Sequence, residues 1–506
     1  MVANCKRVGM IWALALTMWA ADKAHAQKIV VNATDTSAAE SEYYRMITLP
    51  LPDKAQCEAG AMCFLPDGKL LLGTRVGDLW MGENVMSDPP APKWTLWAKG
   101  LHEVLGLAYK DGWVYATQRP EVTKIEDAKG TGRADTFETL CDNWGSKGDY
   151  HEFAFGSKFD RDNNLWVLLC LTGSNTSDVA FRGWAMRITP EGKAIPTCPG
   201  LRSPSGVGFN AAGDVFYTDQ QGFWNGTCPL RQLIPGEFEG NPQGLKWFDD
   251  PVTGPLIKAA NVPRPAEPKS GGRLIDEAKR IPELHPPAVY FPYYKLGQSA
   301  TGILADVSGG KFGPFEKQMF VGDLTHSMEM RVVLEKIKGR YQGICFPFRR
   351  GFDSGNLAME WANDGSMFVF GTNRGWGSVG SKPFALQRLV WTGKVPFEIK
   401  EVHAKPDGFE LTFTQPVDPK SAGAAASYAL NTFTYIYHAD YGSPEVDQTT
   451  PTVKSVAVAP DGLSVRLMVD GMVEGHIHEM HFVGVRSAEG RPLLHDVGYY
   501  TLNALP

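Results

Sequence analysis

The sequence predicts an all-β protein, a six-bladed β-propeller followed by a small immunoglobulin-like β-sandwich, and three observations predict it. The first is a hairpin pattern, plainest in LRSPSGVGFNAAGDVFYTDQQGFWNG at residues 201–226: an apolar strand, a tight AAGD turn, a second apolar strand and a polar loop. The second is its recurrence at a period of roughly 45 to 50 residues, which leaves room for two more strands per repeat. The third is a change after Lys394, where apolar and polar residues alternate around PDG turns and the period is lost.

In chain order, Lys6 and Arg7 precede an apolar run at 8–20, and Ala24-His25-Ala26 stands before Gln27. These are the parts of a secretory signal peptide, 1–26, cleaved after Ala26. The run is too short to span a bilayer and nothing later is longer, so the expectation is a periplasmic or secreted protein with no membrane span in the mature chain. YYRMITLPLP at 43–52 reads as a strand ahead of the first hairpin. It is expected to complete the blade at 356–393, because ring closure removes exposed sheet edges. The remaining hairpins lie at 60–77, 104–121, 152–175, 301–329 and 356–376, with a Pro-rich insertion at about 229–298 between the fourth and fifth repeats. The propeller is placed at 27–395 and the sandwich at 396–506.

The net charge is −6, and the leader holds Lys6, Arg7, Lys23 and Asp22, which leaves −8 for the rest. With no basic block, nucleic acid and anionic membrane are poor candidates as partners, and a neutral or cationic small molecule fits better. Seven cysteines follow the leader (57, 63, 141, 170, 198, 228, 345), an odd number. At least one is therefore unpaired, while Cys57/Cys63 and Cys198/Cys228 flank single hairpins as candidate staples. No C-x-x-C-H occurs, so a redox role would need a separate electron acceptor such as a cytochrome c.

In a propeller, the residues before the first strand and after the second meet at one mouth. That rule gathers Thr74 and Arg75; His102, Glu103, Gln118 and Arg119; Asp149, His151, Ser174 and Asn175; Arg202, Ser203, Asp219 and Gln220; Asp323, His326 and Glu329; and Asn373, Arg374 and Trp376. The other mouth carries only plain turns, so a ligand is expected at the first. His151 can take a proton from a hydroxyl near neutral pH, or can be a hydrogen-bonded plug. Arg202 can polarise an oxygen or lock blades together. Arg374 and Trp376 can clamp a planar ring or simply pack. DAKGTGRADTFE at 127–138 has an EF-hand-like spacing, but Lys129 and Thr131 stand where calcium ligands belong. His476 and His478 share a strand face without the cysteine a copper site would need, and read as structural.

The propeller resembles the soluble quinoprotein glucose and sorbosone dehydrogenase family, and more closely its exported dehydrogenase-like members of planctomycetes. LRSPSGVGFNAAGDVFYTDQQG is similar to the family's Arg-Asn-Pro, Gly-Leu-Ala-Phe, Asp-Gly, Thr-Glu-x-Gly-Pro run, and HEFAFGSKFDRDNNLWV resembles its His-containing Leu-Ala-Phe-Gly-Pro-Asp-Gly run. The resemblance implies pyrroloquinoline quinone (PQQ) and calcium as cofactors. It sets His151 near the family's catalytic base and Arg202 at its substrate-side arginine. Gly222 and Phe223 match the pair whose carbonyls hold calcium against the quinone. It further implies a quinone site among Gln118, Arg119, Asp219, Gln220, His326, Asn373, Arg374 and Trp376. The chain departs from the family in three places. Two residues are missing between His151 and Gly156, the family's Gly-Pro is Gly222-Phe223, and Leu324-Thr325-His326-Ser327 replaces a quinone-binding lysine. Arg119, Arg202 or Arg374 would then have to meet the cofactor's carboxylates.

The expected function is oxidation of a sugar or related alcohol or aldehyde at the propeller mouth. The alternatives are a metal-dependent hydrolase or lactonase using Glu103, Asp149, Asp219 and Asn373, or a non-catalytic glycan- or protein-binding propeller.

Overall fold

The computed structural model describes residues 35–250 and 271–506. The leader expected at 1–26 and part of the Pro-rich insertion lie outside the described residues. Among those described, no helix is long and apolar enough to cross a membrane.

Strands dominate. After β1 (Tyr44–Leu49), β2–β5 occupy Ala59–Phe64, Leu70–Thr74, Leu79–Glu83 and Lys93–Ala98. Strands β6–β9 are Gly106–Lys110, Trp113–Thr117, Val122–Glu126 and Thr136–Cys141, and β10–β13 are Ala154–Phe159, Leu165–Leu169, Trp184–Ile188 and Ala194–Pro199. Next come β14–β16 (Gly206–Phe209, Val215–Thr218, Cys228–Gln232), the short β17 (Gly272–Arg273) and β18 (Val289–Phe291). Strands β19–β22 are Ala300–Ala305, Met319–Asp323, Met328–Ile337 and Arg340–Arg349, and β23–β25 are Asn356–Trp361, Met367–Thr372 and Phe384–Trp391. The C-terminal strands are β26 (Ile399–Lys405), β27 (Gly408–Phe413), β28 (Ala429–Tyr437), β29 (Glu445–Thr449), β30 (Thr452–Val458), β31 (Ser464–Asp470), β32 (His476–His481) and β33 (Val497–Leu502).

The strand order is propeller-like. Antiparallel runs β2-β3-β4-β5, β6-β7-β8-β9, β10-β11-β12-β13, β14-β15-β16-β18, β19-β20-β21-β22 and β23-β24-β25 follow one another. Their first strands touch in the cycle β2, β6, β10, β14, β19, β23 and back to β2. Each expected hairpin falls on the first two strands of one run. The inner strands crowd the axis, and glycine admits the approach: a Cβ on Gly106 would lie 2.5 Å from the Gly156 backbone, and one on Gly206 only 2.1 Å from the Thr301 carbonyl oxygen. The expected closing strand is β1, which pairs antiparallel with β25 from Tyr44 opposite Trp391 to Leu49 opposite Leu386. Its hold is aromatic and polar: Tyr44 packs on Phe312 and Phe348, and its hydroxyl donates to the Phe312 carbonyl at 3.1 Å.

The C-terminal strands form two facing layers, β26-β27-β31-β30 and β28-β32-β33, and the second layer continues edge to edge into β22. Their shared core joins Phe409, Leu411 and Leu467 to Met480 and Tyr500, and reaches Val333, Ile344 and Phe346 of β21 and β22. A propeller edge is thereby paired instead of exposed.

The cysteines correct one expectation. All seven are free and buried. Cys57 and Cys63 pack in different cores, as do Cys198 and Cys228, so neither candidate staple has its two sulfurs together. In the EF-hand-like loop, Asp127 accepts from the amides of Thr131 and Gly132, and its carboxylate closes the loop's own turn. His476 meets the Thr432 hydroxyl at 3.1 Å, and His478 is buried against Phe409, where burial lowers its pKa to about 3.

Candidate functional site

A cavity of about 270 Å³ opens where the first strands begin and the second strands end. It is built from the corner between β14 and β15 upward. Asp219, directly after β15, is fully buried, and its carboxylate accepts from the amides of Arg202 (2.9 Å), Ser203 (2.7 Å) and Gln220 (2.8 Å). Burial still pushes its pKa up, against the pull of those amides and of Arg202. The corner so closed sets the side chains of Arg202 and Ser203 on the cavity wall. Arg202 lies flat on Gly222, where a Cβ would come within 2.1 Å of its guanidinium carbon. It donates to the Gln221 carbonyl at 2.9 Å, its charge sits 5.2 Å from the Tyr441 ring centre, and its buried Nε has no partner.

His151 arrives from the loop before β10. Its amide donates to Asp149 Oδ1 (2.9 Å), which also accepts from Gly173 N. Ring Nδ1 lies 3.0 Å from the Leu171 carbonyl oxygen. A carbonyl only accepts, so Nδ1 carries the proton and Nε2 presents its lone pair to Ser203 Oγ at 2.8 Å. Burial, with Arg202 adding to it and the Leu171 bond opposing, lowers the imidazole's pKa to about 4. The ring is neutral at physiological pH and free to take a proton.

Cations and aromatics surround this pair. Arg75 holds Glu103 through Nε (2.9 Å) and Nη2 (2.6 Å), and Arg119 holds the same carboxylate. Burial alone would raise Glu103; the two arginines outweigh it and keep the carboxyl below its usual range. Arg374 pairs with Glu58 and offers its carbonyl to Arg75 Nη1 at 3.0 Å. Tyr150, Trp376 and Tyr441 stand exposed around the opening.

Of the residues expected here, Arg75, His151, Ser174, Arg202, Ser203, Gln220, Arg374 and Trp376 line the cavity. Gln118, Arg119, Asp219, His326 and Asn373 do not; the first four turn their side chains to nearby backbone groups, Gln118 and Arg119 also to neighbouring side chains. Gln118 accepts from His102 N and donates to Thr123 Oγ1 (2.6 Å), and Arg119 reaches the carbonyls of Asp149 and Tyr150. His326 Nδ1 donates to the Leu296 carbonyl at 2.9 Å, and Asn373 N to that of Pro383 at 3.0 Å.

The expected calcium carbonyls do not fit a metal. Gly222 O accepts from Asn225 N (3.0 Å) and Gly442 N (3.1 Å), and Phe223 O from Asn241 Nδ2 (3.1 Å). Among the described residues, no group of three His, Cys, Asp or Glu side chains is placed to hold a metal ion. The carboxylates of a metal-dependent hydrolase are likewise engaged, Glu103 by arginines and Asp149 and Asp219 by amides. A planar anion fits better, since Arg202 carries an unpartnered buried N–H and aromatic faces border the opening.

Tyr441 was not foreseen. It sits between β28 and β29 in HADYGS, a segment that docks on the corner loop through Gly442 N to Gly222 O and Ser443 N to Gly226 O, both 3.1 Å. No local pattern announces a contact across some two hundred residues of chain, as is general for long-range pairing. Tyr293 and Gln298, from the far end of the insertion, also line the cavity.

Residues 76–237 match a family model described as a domain of unknown function, DUF7133. No curated protein matches the sequence. Among solved structures, the chain is similar to a protein of Thermus thermophilus described as an oxidoreductase (glucose dehydrogenase), at 18% identity and TM-score 0.51, covering 69% of this chain and 100% of that one. The PQQ-bound aldose sugar dehydrogenase of Streptomyces coelicolor follows at 16% identity and TM-score 0.45, with 68% and 98% covered. The PQQ domain of a Coprinopsis cinerea pyranose dehydrogenase stands at 12% identity and TM-score 0.46, with 69% and 97% covered. In fold, the chain resembles the propeller sugar dehydrogenases, the family its hairpin motifs had pointed to.

Proposed function

We propose that this protein is an exported oxidoreductase that oxidises a sugar, or a related alcohol or aldehyde, at the mouth of a six-bladed propeller, residues 27–395, which carries an immunoglobulin-like sandwich at 396–506. The observation that carries the reading is His151: a neutral imidazole whose tautomer is set by Leu171 and whose Nε2 lone pair, taken by Ser203 Oγ at 2.8 Å, borders a cavity beside Arg202. A substrate hydroxyl that displaces Ser203 Oγ from Nε2 gives its proton to His151. Arg202 draws electron density from the neighbouring oxygen, held in place by Gln221 and Gly222. Tyr150, Trp376 and Tyr441 supply faces for the C–H side of a sugar ring or for a planar cofactor.

PQQ fits this donor set, with Arg75, Arg202 and Arg374 for its carboxylates, and when bound it would accept the hydride from the carbon that bears the hydroxyl. Its electrons would pass to a separate acceptor such as a cytochrome c. Calcium does not fit at Gly222 and Phe223, so binding is expected to be independent of it. The test is calorimetric titration of the purified mature protein with PQQ, in EDTA and in calcium, followed by a screen of sugars with an artificial acceptor. Micromolar binding of about equal strength in both buffers, lost in Arg202→Ala, supports the reading. No binding to folded protein overturns it.

A further inference from the structure

A second cavity, of about 250 Å³, lies on the outer side of the sheets, away from the mouth. Its walls come from four parts of the chain: β16 with the segment after it, the short helix Leu274–Arg280 with the segment after it, the turn between β21 and β22, and the residues after β33. Phe238, Ile275, Ala278, Pro286 and Ile337 make it mostly apolar.

A buried cation also lines it. Arg231 is only 4% exposed, yet its closest carboxylate, that of Glu239, stands 3.9 Å away, too far for a hydrogen bond. Arg231 Nη1 donates to the His285 carbonyl at 2.9 Å, and its buried Nε has no partner. Burial raises the carboxyl of Glu239 against the pull of Arg231, and Tyr217 and Glu239 in turn hold the guanidinium charged, so the two groups act on each other across a gap no hydrogen bond closes. At the rim, Arg340 is neutralised by Glu237 at 2.5 Å and Lys279 by Asp276 at 2.8 Å. Lys338 has no carboxylate partner among the described residues. A buried guanidinium without a close anion is costly unless something pairs with it.

We infer that this cavity is a binding site for a small carboxylic acid with an apolar body, its carboxylate toward Arg231 and its body against Phe238, Ile275 and Ile337. Cationic floor and apolar walls together select that chemistry: a fully polar anion leaves the walls unused, and a neutral apolar molecule leaves Arg231 Nε without an acceptor. The site shares no lining residue with the mouth, so it stands apart from the oxidoreductase reading.

Benzoate is the probe, and its neutral isostere benzamide the control, titrated calorimetrically into the mature protein at pH 7. One benzoate per chain with a Kd on the order of 100 μM, and benzamide at least tenfold weaker, is expected. Arg231→Lys should weaken benzoate at least tenfold. Should that variant fold poorly, Ala278→Phe fills the cavity from the half-buried helix edge and should abolish binding at an unchanged unfolding midpoint. Absence of binding at millimolar benzoate, equal binding of benzamide, or undiminished binding in folded Ala278→Phe would overturn the proposal.

Discussion

The corners after β15 and after β20 share one skeleton. In the first, Asp219 accepts from the successive amides of Arg202 and Ser203; in the second, Asp323 accepts from those of Gln298 (2.7 Å) and Ser299 (2.8 Å). Each has a histidine nearby whose Nδ1 donates to a carbonyl, Leu171 for His151 and Leu296 for His326. The likeness stops at the side chains. One corner presents a guanidinium, and its histidine turns Nε2 to a serine on the cavity wall. The other presents an amide, and its histidine's Nε2 is buried without a partner. The repeat thus supplies the same corner twice, and the residue mounted on it decides whether the cavity wall there is a guanidinium or an amide.

The comparison can be broken by exchanging what each corner carries. Arg202→Ala should lower kcat/KM on any accepted sugar by about 1000-fold, on the order of 4 kcal/mol, while Gln298→Ala should cost less than tenfold. Equal losses would make the corners functionally equivalent. Removing the skeleton should hurt both alike: Asp219→Ala and Asp323→Ala each strip buried amides of their acceptor and should cost about 3 kcal/mol in urea unfolding. Only the first should also abolish ligand binding.

Acid titration separates the histidine from an ordinary one. Because the folded pKa of His151 lies near 4, below the 6.5 of an unperturbed ring, turnover should hold from pH 8 to about 5 and fall with a midpoint near 4. The sign for stability follows: the unfolded chain binds this proton first, so the contribution is intact above pH 6.5 and up to about 3 kcal/mol is lost as pH falls from there through 4. His151→Gln should remove that slope; a rate midpoint near 6.5 would show the ring to be solvated. The smallest effect is expected from Tyr441→Ala, about 1 kcal/mol or fivefold in KM with kcat unchanged, since it removes an aromatic face at the opening and no reacting group.

Much of this was legible in the sequence because hairpins are local. Alternation around AAG, NDG and KDG turns marked the strand pairs, and the Tyr44–Leu49 strand betrayed itself by preceding the first of them. The site was legible only to the level of position. Lying at the mouth does not say whether a polar side chain faces the channel or the backbone, so Gln118, Arg119 and Asp219 were grouped with Arg202 although their partners are amides, carbonyls and a neighbouring carboxylate. The join of β33 to β22 and the reach of Tyr441 were not legible at all. Both rest on pairings between segments far apart in the chain, which leave no periodic trace. The cysteine staples failed similarly: nearness in sequence does not say which core a side chain enters, and the two sulfurs of each pair enter different ones.

The pairing of β1 with β25 dictates an order of events during synthesis. Residues 44–49 are made well before their partners at 386–391, so this strand waits unpaired while the blades between them assemble. Contacts this distant form slowly, and an open ring offers two unsatisfied edges to other chains in the meantime. The interval before Trp391 finds Tyr44 is therefore one of exposed edges, and a chain that stops short of that residue cannot close them by this pairing.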